Sequence, residues 1–191
     1  MKNNNPTITA VNAETITSLS TNWFQLIENL HHSITEKSAL ECATRCNARC
    51  CPKSRSSKRD NAAVGHVAIM LPFEREYILS KTNLNSEQLQ HESIEFSPGV
   101  FIDIGFMNSS KPCPFLTNTN KCGIYDIRPL DCRSFPLIPF FYQDETITFR
   151  VDAECPSANT FSATYQTQLI KVWQDFLPNL PMSYRMLYNE L

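Results

Sequence analysis

The sequence predicts an α+β fold: a small cysteine-rich, metal-centred domain with short β-hairpins and flanking helices. Three observations predict it. Apolar residues recur at helical spacing near both ends of the chain, alternating apolar residues bracket two turn signals in its middle, and eight cysteines fall into two groups. With 191 residues, 42% hydrophobic and 10% aromatic, the chain can bury a core of its own, so the cysteines do not substitute for one. One domain is expected over residues 22–191, behind a polar leader over residues 1–21, with its motif core at residues 42–155.

The leader is rich in Asn and Thr, with neither the apolar stretch of a signal peptide nor an Arg-rich presequence. No apolar run approaches the roughly 18 to 20 residues of a membrane-spanning helix. The expectation is a soluble, cytoplasmic protein with no membrane partner. A net charge of −2 and a pI near 6.1 create no global field toward nucleic acid, which is not expected as a partner.

The elements follow in order. Trp23, Leu26, Ile27, Leu30 and Ile34 lie on one helical stripe, with Thr21 or Asn22 placed to cap it. Cys42, Cys46 and Cys50 are four apart, which on a helix keeps their sulfurs along one face, and Cys51-Pro52 ends that turn. Between Arg45 and Arg59 the chain carries six cations and no acid, either a solvated loop or a counter-charge to a thiolate site. His66 to Met70 reads as a strand, Leu71-Pro72-Phe73-Glu74 as a helix start, and Ser86 to Gln90 as a short helix. Ile94 and Phe96, a Ser97-Pro98-Gly99 turn, and alternating Val100, Ile102, Ile104 and Phe106 predict one hairpin. Leu137–Tyr142 and Thr146–Val151 predict a second. Phe161, Tyr165, Leu169, Val172, Trp173 and Phe176 predict an amphipathic helix stopped at Pro178, followed by a short helical tail.

In a reducing compartment, this cysteine content points to metal binding or catalysis rather than disulfides. The candidate metal ligands are Cys42, Cys46, Cys50, Cys51, Cys113, Cys122, Cys132 and Cys155. Three of them, Cys51, Cys113 and Cys155, precede proline, which either merely ends the preceding element or, as at ligands in bacterial iron–sulfur proteins, leans the reading toward an iron–sulfur cluster over zinc. Eight sulfurs allow one four-cysteine site with spare thiols, two such sites, or a cluster plus zinc. Ligation requires thiolates, and Arg128 and Arg133 bracket Cys132 where they would offset that charge at a cofactor site. Asp126, Arg128 and Asp131 read either as a substrate-binding set or, more simply, as groups that hold a metal-rich loop in shape. Tyr125 reads as core. His31, His32, His66 and His91 lie away from the cysteine runs and are not expected as ligands.

These residues resemble a known family. Cys42-x3-Cys46-x3-Cys50-Cys51, then CPFL from Cys113, CGIYDIRPLDCRSFP from Cys122, and finally Cys155 are similar to the YkgJ-like cysteine-cluster family, also known by the pattern CxxCxxCC, which includes the flagellin lysine N-methylase. Family members usually have shorter gaps between the early cysteines than the two three-residue gaps found here. The resemblance implies zinc or iron chelation. Through the methylase it also implies an iron–sulfur cluster, S-adenosylmethionine as a cofactor, and a peptide or protein substrate.

Three functions are therefore weighed: an iron–sulfur enzyme that modifies a peptide or protein, a chelator or electron carrier without a reaction, and a zinc-based structural or interaction module. With only four glycines, Gly65, Gly99, Gly105 and Gly123, the chain has no GxGxxG or P-loop, which disfavours a Rossmann-type methyltransferase. A radical S-adenosylmethionine enzyme would need CxxxCxxC, and Cys50 falls one residue too late. No catalytic residue is assigned. A site drawing on both cysteine groups would close a long loop between Cys51 and Cys113, so that metal binding would be largely folding energy.

Overall fold

The structure is a computed structural model that describes residues 13–34, 51, 67–107, 113–153, 155, 158 and 162–190. The first helix, α1, spans Ala13–Ser33, beginning well before the expected cap. Thr21 does not cap it: the Ser20 and Thr21 hydroxyls both donate to the Thr17 carbonyl inside the helix, and Leu19 extends the apolar stripe by one more turn. Trp23, Ile27 and Leu30 are buried, as is Ile34 just past the helix end, while Leu26 stays exposed.

A three-stranded antiparallel sheet follows, in the order β1-β3-β2, from β1 (Ala68–Ile69), β2 (Gln90–Ser97) and β3 (Val100–Met107). The β2–β3 hairpin turns where Pro98-Gly99 predicts. Gly99 has φ 75°, and its N–H donates to the Glu95 carboxylate at 2.8 Å. β1 is shorter than expected, although Met70 N still donates to Gly105 O at 2.9 Å. The chain approaches closely there. A Cβ on Gly105 would lie 2.5 Å from Met70 Sδ and 3.0 Å from Arg75 Cβ.

Between β1 and β2 runs α2 (Glu74–Lys81), which packs on α1 and β3. It starts later than Leu71 because Phe73 is left-handed, with φ 60°, a conformation that is costly for an aromatic residue. That turn puts the Phe73 ring against Trp23 and Phe96 and brings Glu74 inward. The expected helix after it is a single 3-10 turn, Ser86–Gln88, closed by reciprocal hydrogen bonds between Asn85 and Gln88.

A short helix not foreseen in the sequence, α3 (Leu130–Ser134), leads into the second hairpin, β4 (Leu137–Phe141) and β5 (Ile147–Val151). α4 (Ala163–Phe176) is capped by Ser162 Oγ, which accepts from Tyr165 N at 3.0 Å, and passes into a 3-10 turn containing Pro178. Phe161, expected on this helix, lies outside the described residues. The helical tail is α5 (Met182–Glu190), packed on β4 and β2.

Two apolar clusters result. The larger joins both hairpins to α1, α4 and α5 through Trp23, Phe73, Phe141, Trp173, Tyr184 and Tyr188. The smaller gathers Ile27, Met70, Tyr77, Ile78, Leu89 and Phe115, and against it pack Cys113 and Cys132. No helix among the described residues is long and apolar enough to cross a membrane.

Candidate metal centre

The cysteine-bearing loop is shaped by its backbone. Leu116 N donates to Cys113 O at 3.1 Å, and Thr117 N donates to Lys121 O at 2.9 Å around Asn120, whose φ is 57°. Leu116 forms an isolated bridge with Cys122, and Gly123 N donates to Phe115 O at 2.7 Å. A Cβ on Gly123 would stand 3.2 Å from that same oxygen, so the return of the loop favours glycine. Cys122 is thereby folded back beside the Cys113 segment. Cys113 N also donates to Cys51 O at 2.9 Å, which ties the last cysteine of the first group to the first of the second.

Cys132 sits on α3, and α3 is anchored on all sides. Glu74, fully buried, accepts from Leu130 N at 3.0 Å and from Leu71 N at 2.8 Å. Asp131, also buried, accepts from Ile69 N at 2.9 Å and from the Tyr188 hydroxyl. Ser134 Oγ donates to Leu130 O at 2.9 Å and accepts from Trp173 Nε1 at 2.7 Å, while the Tyr165 hydroxyl donates to Arg133 O at 3.0 Å. Burial pushes the Glu74 carboxyl up to about 7, against the pull of its two N–H donors and Arg133. Burial and the Asp131 carboxylate likewise raise the Tyr188 hydroxyl well above the ordinary phenol range. Asp131, one of the three groups read above as a substrate set, spends both oxygens on the architecture.

The surroundings of Cys132 mix carboxylate and guanidinium groups. Arg133 Nε donates to Arg128 O at 3.3 Å and its Nη2 to Asp126 O, clamping the 3-10 turn Tyr125–Ile127 onto α3. The Arg128 guanidinium lies 4.4 Å from the Tyr125 ring centroid, and its Nε is buried without a hydrogen-bond partner. Neither guanidinium forms an ion pair among the described residues, and burial and the nearby Arg128 charge hold the Arg133 pKa below its ordinary value. The Cys132 thiol is pushed well up by burial, then by Asp131 and by Cys113. Arg128 opposes the rise, and Cys122 also lies within electrostatic reach.

The eight predicted cysteines therefore divide. Cys113, Cys122 and Cys132 share one electrostatic neighbourhood, and Cys51 is hydrogen-bonded into it through its backbone. Cys155 is buried in a turn after β5, held by Cys155 N to Asp152 O at 3.2 Å, with Asp152 N on Pro136 O just beyond α3. Cys42, Cys46 and Cys50 lie outside the described residues, as does the basic segment from Arg45 to Arg59 apart from Cys51. Among the described residues, no three His, Cys, Asp or Glu side chains converge as a metal-binding group. The donor set nevertheless fits a thiolate-bound metal, because three half-buried thiols lie within electrostatic reach of one another and of Arg128, whose guanidinium forms no ion pair among the described residues.

Sequence reading missed the buried Glu74 carboxylate, whose only sequence signal is an acid at a helix start. Asp131, read either as part of a substrate set or as a group holding the loop in shape, takes the structural role through Ile69 N and Tyr188.

No curated protein and no solved structure matches the chain significantly. The sequence profile described as "CxxCxxCC: putative zinc- or iron-chelating domain" matches residues 41–156, which spans all eight cysteines and more than half of the sequence. On that match, and with the motif residues folded around Cys113, Cys122 and Cys132 as described, the chain belongs to the CxxCxxCC, or YkgJ-like, family.

Proposed function

We propose that the protein is a metal-binding protein whose cysteine thiolates hold an iron–sulfur cluster, with zinc as the alternative occupant. The observation that carries this reading is the charge around Cys132. Arg128 and Arg133 lie close enough to repel one another, neither is ion-paired among the described residues, and beside them are three cysteines. A bound anion would complement these two cations. A zinc tetrathiolate or a four-iron cluster with four thiolates carries about −2, which would match them.

Cys113, Cys122 and Cys132 would supply sulfur from the second group, joined by Cys51 and by ligands among Cys42, Cys46, Cys50 and Cys155. Arg128 would direct its unused Nε toward the anionic centre, and Arg133 would hold the loop that presents it. When bound, the metal supplies Lewis acidity or, as a cluster, electron transfer. Because the Cys132 thiol is held protonated, loading would release protons. A cytoplasmic, reducing setting suits such a site, and modification of a peptide or protein with S-adenosylmethionine is the enzymatic form of this reading. A carrier or chelator is its non-enzymatic form.

The test is elemental analysis for iron, zinc and acid-labile sulfide on protein purified without oxygen, with its visible spectrum, for the wild type and Cys132→Ser. Iron with matching sulfide, lost in the variant, is expected. Zinc without sulfide would move the function to a structural module, and absence of either metal would overturn the proposal. Calorimetry with S-adenosylmethionine on the loaded protein then separates an enzyme from a carrier.

A further inference from the structure

The strands differ in what their backbones meet. On β1, Ile69 N donates to the buried Asp131 carboxylate, and on β2, Glu95 O accepts from the Ser183 hydroxyl. β4 is closed by Asn189, whose side-chain amide takes the place of a neighbouring strand. It accepts from Phe141 N at 3.1 Å and donates to Phe141 O at 2.6 Å. β5 pairs with β4 on one side, and among the described residues neither strand nor side chain is hydrogen-bonded along the other.

The alternation of antiparallel pairs decides which groups are left over. Phe141 turns both its backbone groups to Asn189, so Phe141–Ile147 is a pair without hydrogen bonds between the strands. Pro139–Phe149 and Leu137–Val151 are the same by register. Ile147, Phe149 and Val151 therefore point N–H and C=O away from β4. The strand has no proline, lysine or bulge to discourage pairing along that side. Its sequence suits a copy of itself. With Phe149 on a twofold axis, antiparallel pairing sets Ile147 opposite Val151 and Thr148 opposite Arg150. Ile147 and Phe149 pack on the larger apolar cluster, whereas Val151, on the same face, is exposed and would gain an apolar neighbour. The Arg150 charges would not face one another. Another extended segment would satisfy the same backbone groups, but the matched register favours a second copy. We propose that two copies of the chain pair through β5, joining their hairpins into one continuous sheet in the order β4-β5-β5-β4. A five-residue edge covers too little surface for a permanent dimer, so the association is reversible.

The test is sedimentation velocity on full-length protein, purified without oxygen, across a concentration series, with hydrogen exchange at its two ends. Val151→Pro removes an outward N–H and no bond to β4. Thr148→Arg and Thr148→Glu, at an exposed position, place a like or an opposite charge across from Arg150 of the other copy. Thermal unfolding of each variant is the folding control. A monomer–dimer equilibrium is expected, with Kd raised about tenfold by Val151→Pro. Thr148→Arg should raise it about threefold and Thr148→Glu lower it about threefold. Protection at the Ile147, Phe149 and Val151 amides should grow with concentration, while Thr148 and Arg150, already bonded to β4, stay constant. A monomer at every concentration, or a dimer with the same Kd in both Thr148 variants, would overturn the pairing. Protection of the outward amides that is independent of concentration would assign the edge to another segment and overturn it as well.

Discussion

The two apolar clusters differ in how they end. The larger is closed by its own groups: Phe141 meets Trp173, Tyr184 and Tyr188 edge-on, and the polar atoms that enter it, from Ser134, Asp131 and Trp173, find protein partners. The Tyr184 hydroxyl and Arg185 Nη1 are exceptions. The smaller ends in half-buried thiols, two guanidinium groups without ion pairs, and the unused nitrogens of His31 and Arg128. One region is closed by the described residues themselves; the other carries the thiols and guanidinium groups of the proposed metal centre. Scaffold and site are thus separable, with α3 as the element they share.

The largest expected effect breaks the scaffold. Trp173 is fully buried at the meeting of α4, β4 and α5, so Trp173→Ala should cost about 3–5 kcal/mol in denaturant unfolding. A cost below about 1 kcal/mol would mean that the larger cluster is not the stabilising half.

Next is a pH effect at Glu74, which faces Asp131 and Arg133 as well as the Leu71 and Leu130 amides. Its folded pKa is raised from 4.5 to about 7, so the folded state holds the proton more tightly than the unfolded one. Its contribution is fully present below pH 4.5 and is lost as pH rises to 7, amounting to about 3 kcal/mol. Glu74→Gln should flatten this dependence. Parallel stability curves for the two proteins across that window would contradict it.

The smallest effect tests the shared element. Tyr188→Phe removes the hydroxyl that donates to buried Asp131 and should cost about 1.5–3 kcal/mol, measured by thermal unfolding. It should also weaken metal retention through the displacement of α3. Equal metal content in variant and wild type would show that the scaffold and the site are uncoupled.

Much of the scaffold was legible in the sequence because its signals are local. Alternation around Pro98-Gly99 and the stripe from Tyr165 to Phe176 each encode one element without reference to the rest. The strand read over His66 to Met70 is present as the shorter β1, but the five-residue α3 was not legible, since so few residues carry no period and it depends on a distant partner, Glu74. Glu74 looked like an acid in the first turn of a helix; the left-handed Phe73 turns it inward instead. The cysteines marked the site.

The central claim is that metal finishes the smaller region. It is tested most directly by hydrogen exchange on metal-loaded against chelator-stripped protein, read at the amides of Leu116, Gly123 and Ile127 and across α4. Stripping should speed exchange at those loop amides by at least tenfold and leave α4 nearly unchanged. Loop protection that survives stripping, or equal loss in both regions, would contradict the account.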